Sequence, residues 1–174
     1  MNRLVVLDLP GGPEFVTALR RVWDDGDAAF VLDQRLPRPA AERLLASMRP
    51  ALIRSANGET GLEGSIPMEQ GDAVVVATSG TSGVPKGAVH THATIAASAQ
   101  ATSGRLGVRD DDHWLACLPV AHIGGLAVVM RALHLDTGLT VLPAFDADTV
   151  MASPATLAAL VPTALARLDP FKFR

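Results

Sequence analysis

"VVVATSGTSGVPKGAVHTH", residues 74–92, is the stretch whose reading decides the fold. An apolar run ends in hydroxyls and glycines, passes a Pro-Lys-Gly, and continues into a segment that reads as helix. Strand, polar turn and helix in that order are the repeating parts of a parallel α/β sheet. Residues 73–77 are expected to form a buried strand and residues 88–103 the helix. The turn between them carries hydroxyls at Thr78, Ser79, Thr81 and Ser82 and glycines at Gly80, Gly83 and Gly87. Glycine reaches backbone angles closed to other residues, so such a turn can aim several N–H groups at one anion. Pro85 fixes its own φ and keeps the residue before it extended. Lys86, with Lys172 the only other lysine, brings a mobile point charge that can follow a phosphate. The helix expected next would add the positive end of its dipole.

Working outward, apolar runs alternate with stretches of helical period. Residues 5–9, 28–32 and 51–53 read as strands, and 13–23 and 40–48 as helices. Residues 57–71, rich in Gly and Glu, read as a linker or exposed loop. Beyond the turn, strands are expected at 114–118 and 139–142 and helices at 126–135 and 154–168. The alternation predicts an α/β fold of βαβ units, with a mostly parallel sheet flanked by helices.

Composition narrows the function. The chain has 174 residues, 48% of them hydrophobic, enough for a real core. A formal charge of −3 gives no reason to expect nucleic acid as a partner. No apolar run approaches the roughly 20 residues that span a bilayer, and the N-terminus lacks the pattern of a signal peptide. Cys117 is the single cysteine, read as a small buried hydrophobe. These features point to the cytoplasm.

Two familiar phosphate loops do not fit. The Walker pattern needs glycine directly before its lysine and a hydroxyl directly after, whereas Pro85 precedes Lys86 and Gly87 follows it. A dinucleotide G-x-G-x-x-G is absent from this turn. Residues 78–87, Thr-Ser-Gly-Thr-Ser-Gly-Val-Pro-Lys-Gly, instead closely resemble the T-S-G-[ST]-T-G-x-P-K-G signature of the adenylate-forming enzymes, which include acyl-CoA synthetases and luciferase. The one departure, Ser82 for threonine, keeps the hydroxyl. The resemblance implies that Thr78, Ser79, Gly80, Thr81, Ser82, Gly83 and Lys86 hold the β- and γ-phosphates of ATP with Mg²⁺. A carboxylate then attacks the α-phosphate, giving an acyl-adenylate and pyrophosphate, and coenzyme A is the later acceptor.

The second informative stretch is LPVAHIGGLAVVMR, residues 118–131. It looks like the family's next motif, which implies that His122 lines the acyl pocket and, with Lys86, belongs to the catalytic set. Gly124 and Gly125 would let the acyl group approach the backbone. Arg131 ends an apolar stretch, where a desolvated charge needs a partner. It is either a snorkelling surface side chain or the ligand of a second substrate carboxylate. Together with Val161-Pro162-Thr163 and Leu165-Ala166-Arg167-Leu168, the phrase is similar to the 2-succinylbenzoate–CoA ligases of menaquinone biosynthesis. Their acid carries two carboxylates, one to activate and one to recognise. Another acyl- or aryl-CoA ligase, or a non-catalytic nucleotide-binding or assembly module, is the alternative.

The other histidines carry less. His90 and His92 are expected to cap or pack, and their spacing does not suit a metal pair on a helix. His113 and His134 are assigned no function. Asp110-Asp111-Asp112 reads as a solvated acidic turn, and no metal site is expected.

The resemblance also implies gaps. The family's Tyr-Gly-x-Thr-Glu segment, whose Glu holds Mg²⁺, is absent, as are the ribose-binding Asp, the hinge and the C-terminal lysine. Residues 1–71 are expected to be an abbreviated N-terminal α/β region. Residues 72–174 would be a truncated ATP-loop and acyl-pocket region of the ligase N-terminal domain, without the lid domain, and inactive alone. An unfinished sheet exposes an edge, so a homodimer is possible.

Overall fold

The computed structural model describes residues 2–78, 85–169 and 171–173. Ser79, Gly80, Thr81, Ser82 and Gly83 therefore lie outside the described residues. The chain divides into two compact units, Met1–Pro10 with Thr17–His92, and Gly11–Val16 with Ala93–Arg174.

The first unit is built on a six-stranded sheet in the order β4-β3-β1-β2-β5-β6. Its strands are β1 (Leu4–Asp8), β2 (Ala28–Val31), β3 (Leu52–Ser55), β4 (Gly58–Gly61), β5 (Asp72–Thr78) and β6 (Lys86–Thr91). Helix α1 (Pro13–Asp24) follows β1 and helix α2 (Arg38–Met48) follows β2. β1 pairs in parallel with β2 on one side and with β3 on the other, Val6 facing both Phe30 and Ile53. The two crossovers therefore run in opposite directions, and right-handed connections put α1 and α2 on opposite faces. Side chains alternate along each strand. Leu4, Val6, Ala28, Phe30 and Val75 pack with Leu44 and Met48 of α2, while Val5, Leu7, Ala29 and Val74 on the other face are equally buried. Burial on both faces is why β1 and β2 read as continuous apolar runs. The start of this pair is locked by Arg3, whose Nε and Nη2 both donate to Asp27 Oδ2, while the Arg3 amide donates to Oδ1.

Two strands here were not expected. Residues 58–61, read as linker, pair antiparallel with β3 through a tight turn at Ala56-Asn57. Gly58 leaves that turn at φ 117°, a conformation costly to other residues. Residues 86–91, read as loop and helix, form β6, antiparallel to β5 from Thr78–Lys86 to Asp72–Thr91. The expected helix begins only at His92. Six residues of strand, at roughly 3.3 Å each, separate Lys86 from it by about 20 Å of chain. The helix dipole expected behind the loop is therefore not there.

The second unit carries a three-stranded parallel sheet in the order β8-β7-β9. It comprises α3 (His92–Leu106, its first residue assigned to the other unit), β7 (His113–Ala116), α4 (Ile123–Leu135), β8 (Gly138–Val141), α5 (Ala147–Ala152), β9 (Leu157–Ala158) and α6 (Pro162–Leu165). Leu115 and Cys117 pack with Val150 and Ala155. Trp114, pointing the other way, lies beneath Arg131 of α4. The helix expected over residues 154–168 is broken by its own prolines. Ser153 is extended ahead of Pro154, residues 157–158 join the sheet beside Trp114 and Leu115, and Pro162 opens the short α6. Asp112 departs from the expected solvated turn. It is buried, and accepts hydrogen bonds from Thr156 Oγ1 at 2.7 Å and the Arg109 amide at 2.8 Å.

No helix among the described residues is long and apolar enough to cross a membrane. Cys117 is fully buried at the end of β7, and burial pushes its thiol pKa up. It should therefore be silent to a thiol reagent in the native chain. A urea series is expected to raise the labelling rate only in step with unfolding.

Candidate functional site

The ladder of β5 and β6 ends where Thr78 stands opposite Lys86. Thr78 Oγ1 donates to the Lys86 carbonyl at 3.2 Å, so the first and last members of the expected phosphate grip are joined directly. The Lys86 side chain is exposed. β5 runs parallel to β2, so the connection from Thr78 to Lys86 leaves the carboxyl end of the parallel strands. Open α/β sheets bind their ligands at that end. One more hydroxyl bears on the same place: Ser47 Oγ, from the last turn of α2, donates to the Pro85 carbonyl at 2.8 Å.

In the second unit β7 is flanked by parallel neighbours on both sides, reached by crossovers in opposite directions. Its carboxyl end is thus a topological switch point, the place where such sheets form a crevice. Leu118 and Pro119 leave β7 there. The His122 amide donates to the Pro119 carbonyl at 3.1 Å, and His122 takes the N-cap position of α4 at φ −117° and ψ 150°. The His122 side chain and Gly124 are exposed. Gly125 is buried, and a Cβ there would stand 2.3 Å from the Leu118 carbonyl oxygen and 2.6 Å from that of Pro119. Its missing side chain is a packing requirement of the turn into α4. Leu126, Val129 and Met130 bury along the helix as their spacing predicts.

Arg131 lies on α4 with its guanidinium over the Trp114 ring, 4.7 Å from the centroid. Its Nε is buried without a hydrogen-bond partner among the described residues, and so is Trp114 Nε1. Burial pulls the Arg131 pKa down. A cation held this way is short of an anion.

His90 sits in β6, and His92 meets Trp23 edge-on at 5.2 Å, a packing role. His113 Nε2 is 2.8 Å from Thr140 Oγ1. Among the described residues no group of three His, Cys, Asp or Glu side chains could hold a metal ion. Neither Ser47 nor Trp114 was singled out from sequence. A serine within a helix and a tryptophan within a strand give no local signal of what they touch across the fold.

Residues 49–172 match the family described as AMP-binding enzyme. A 2-succinylbenzoate–CoA ligase of Bacillus cereus is 31% identical over 169 residues, covering 84% of this chain and 34% of that protein. The chain therefore spans about a third of the length of the curated relatives it matches. An Escherichia coli MenE variant solved with bound OSB-AMS is 27% identical, with a TM-score of 0.77 over 95% of this chain and 40% of that one. The O-succinylbenzoate coenzyme A synthetase of Bacillus subtilis, solved with ATP and magnesium ion, shares the fold at 21% identity. Its TM-score is 0.82 over 98% of this chain and 55% of that chain.

Gly125→Ala drives a methyl into two fixed carbonyls. It is expected to destabilise the chain by about 1–3 kcal/mol, read as a lowered urea midpoint. Gly124→Ala, with only Leu118 Cδ1 at 3.5 Å, should be far milder.

Proposed function

The chain belongs to the AMP-binding enzyme family, and we propose that it supplies the phosphate loop and part of the acid pocket of an ATP-dependent acid–CoA ligase. The observation that carries this reading is the Thr78–Lys86 pair at the carboxyl end of β5. It closes a connection whose sequence holds the full run of hydroxyls and glycines, from Thr78 through Ser79, Gly80, Thr81, Ser82 and Gly83. Lys86 and the backbone amides bind the triphosphate tail and stabilise charge on the departing pyrophosphate. A substrate carboxylate attacks the α-phosphorus, the bond to the pyrophosphate oxygen breaks, and an acyl-adenylate forms. The coenzyme A thiol then displaces AMP to give the thioester. Mg²⁺ would arrive with ATP and offset its charge; the described residues offer no cluster to hold it, so no step is assigned to it.

The acid is 2-succinylbenzoate, and the pathway that of menaquinone. Support for this finer reading comes from α4. His122 and Gly124 stand exposed at the switch point, and Gly125 sets the turn that presents them. Arg131 follows nine residues later, about 13 Å along the helix axis, and its side chain tilts back toward the N-terminus. An acid lying along α4 with its activated carboxyl near His122 can offer its second carboxylate to this guanidinium, whose Nε has no partner among the described residues. A carboxylate there supplies the charge-assisted hydrogen bonds the site lacks.

Both parts are testable in a chimaera that joins this chain to the remaining length of a curated relative. Lys86→Ala is expected to lower acid-dependent ATP–pyrophosphate exchange by about 10²–10³-fold; an unchanged rate removes the phosphate role. Arg131→Met should weaken use of 2-succinylbenzoate roughly 10- to 150-fold while leaving an analogue that lacks the ring carboxylate nearly unaffected. Equal loss on both acids would refute the second-carboxylate role.

A further inference from the structure

We infer that Ser47, outside every recognised motif, is a positioning residue for the phosphate loop. This rests on the phosphate-loop reading of residues 78–86. Ser47 lies in the last turn of α2, where a serine ordinarily bonds back to its own helix or to water. Here its hydroxyl leaves the helix and donates to the Pro85 carbonyl at 2.8 Å, across 38 residues of sequence. The next carbonyl, that of Lys86, is taken by Thr78 Oγ1 at 3.2 Å. Two successive carbonyls at the exit of the loop are therefore fixed by hydroxyls from two different elements. The proline between Val84 and Lys86 removes the remaining freedom in φ at this point.

The arrangement bears on binding because Lys86 is a long, exposed side chain on an edge strand. Its reach toward a phosphate depends on where its own backbone is held. Met48, the residue after Ser47, is buried in the core beneath the sheet, so α2 is a rigid post and Ser47 its contact with the loop exit. A backbone held beforehand in the binding conformation loses less entropy when the ligand arrives.

The test titrates the full chain with magnesium tripolyphosphate, which offers the loop three linked phosphates and no nucleoside. Thermal unfolding of each variant is followed in parallel. Ser47→Ala is expected to bind about fivefold more weakly than the wild type, and Ser47→Thr to restore most of the loss. Ser47→Val, which has the shape of threonine without its hydroxyl, should behave as Ser47→Ala; the Thr–Val pair gives the answer even if Ser47→Ala folds poorly. A purely structural serine would shift the unfolding temperature and leave the affinities of the Thr and Val variants equal. That equality, with Lys86→Ala still losing binding, overturns the Ser47 proposal and spares the loop reading. A wild-type chain that ignores the ligand, or a Lys86→Ala chain that binds it normally, overturns the loop reading itself.

Discussion

Each unit is organised by one strand that must be apolar on both faces because parallel strands lie on both sides of it and helices cover it. In the first unit this is β1, between β2 and β3; in the second it is β7, between β8 and β9. A strand in that position cannot be reached by two crossovers running the same way. The chain has to depart to one side, return, and depart to the other. Wherever it does so, two connections diverge at the strand's carboxyl end and leave a crevice that neither fills. The Leu118-Pro119 turn and the His122 N-cap stand at such a point as a consequence of sheet order. Gly125 is the local expression of the same constraint, since α4 can begin there only if nothing separates its backbone from the two carbonyls beneath it.

Two arginines illustrate the difference between a charge met by a carboxylate and one met only by an aromatic ring among the described residues. Arg3 donates through its side chain and amide to a buried Asp27, and the hydrogen bond to that carboxylate raises its pKa. Nothing about it is unsatisfied, and its effect is to fix where two neighbouring strands begin. Arg131 has the opposite character. It is desolvated, stacked on an indole, and lacks both an ion pair and a partner for Nε among the described residues. A half-buried guanidinium held this way carries a desolvation cost that the ring contact offsets in part.

Much of this was legible in the sequence, and the failures have physical causes. Strands β1, β2, β5 and β7 and helix α4 declared themselves because core burial imposes an apolar pattern over their whole length. β6 did not. As an edge strand it keeps Lys86, Gly87 and Val89 exposed, and its alanine and its one histidine suited the helix that follows equally well. β4 carries no apolar residue at all, yet Asn57 followed by Gly58, the first residue of the strand, was a turn signal available to be read. Pro162 likewise argued against a helix running through residue 162. The site divided along similar lines. A contiguous signature such as residues 78–87 is visible in one dimension, whereas the Ser47–Pro85 bond and the Arg131–Trp114 stack exist only after folding.

The antiparallel pairing of β5 and β6 also decides what sets the start of α3. The Thr78–Lys86 rung is the last of the β5–β6 ladder, and β6 runs its full length from there before α3 begins at His92. The register of α3 is therefore set by β6 and its pairing with β5. An edge pair joined to its helix by a full strand in this way uncouples where the helix starts from how the two strands are linked.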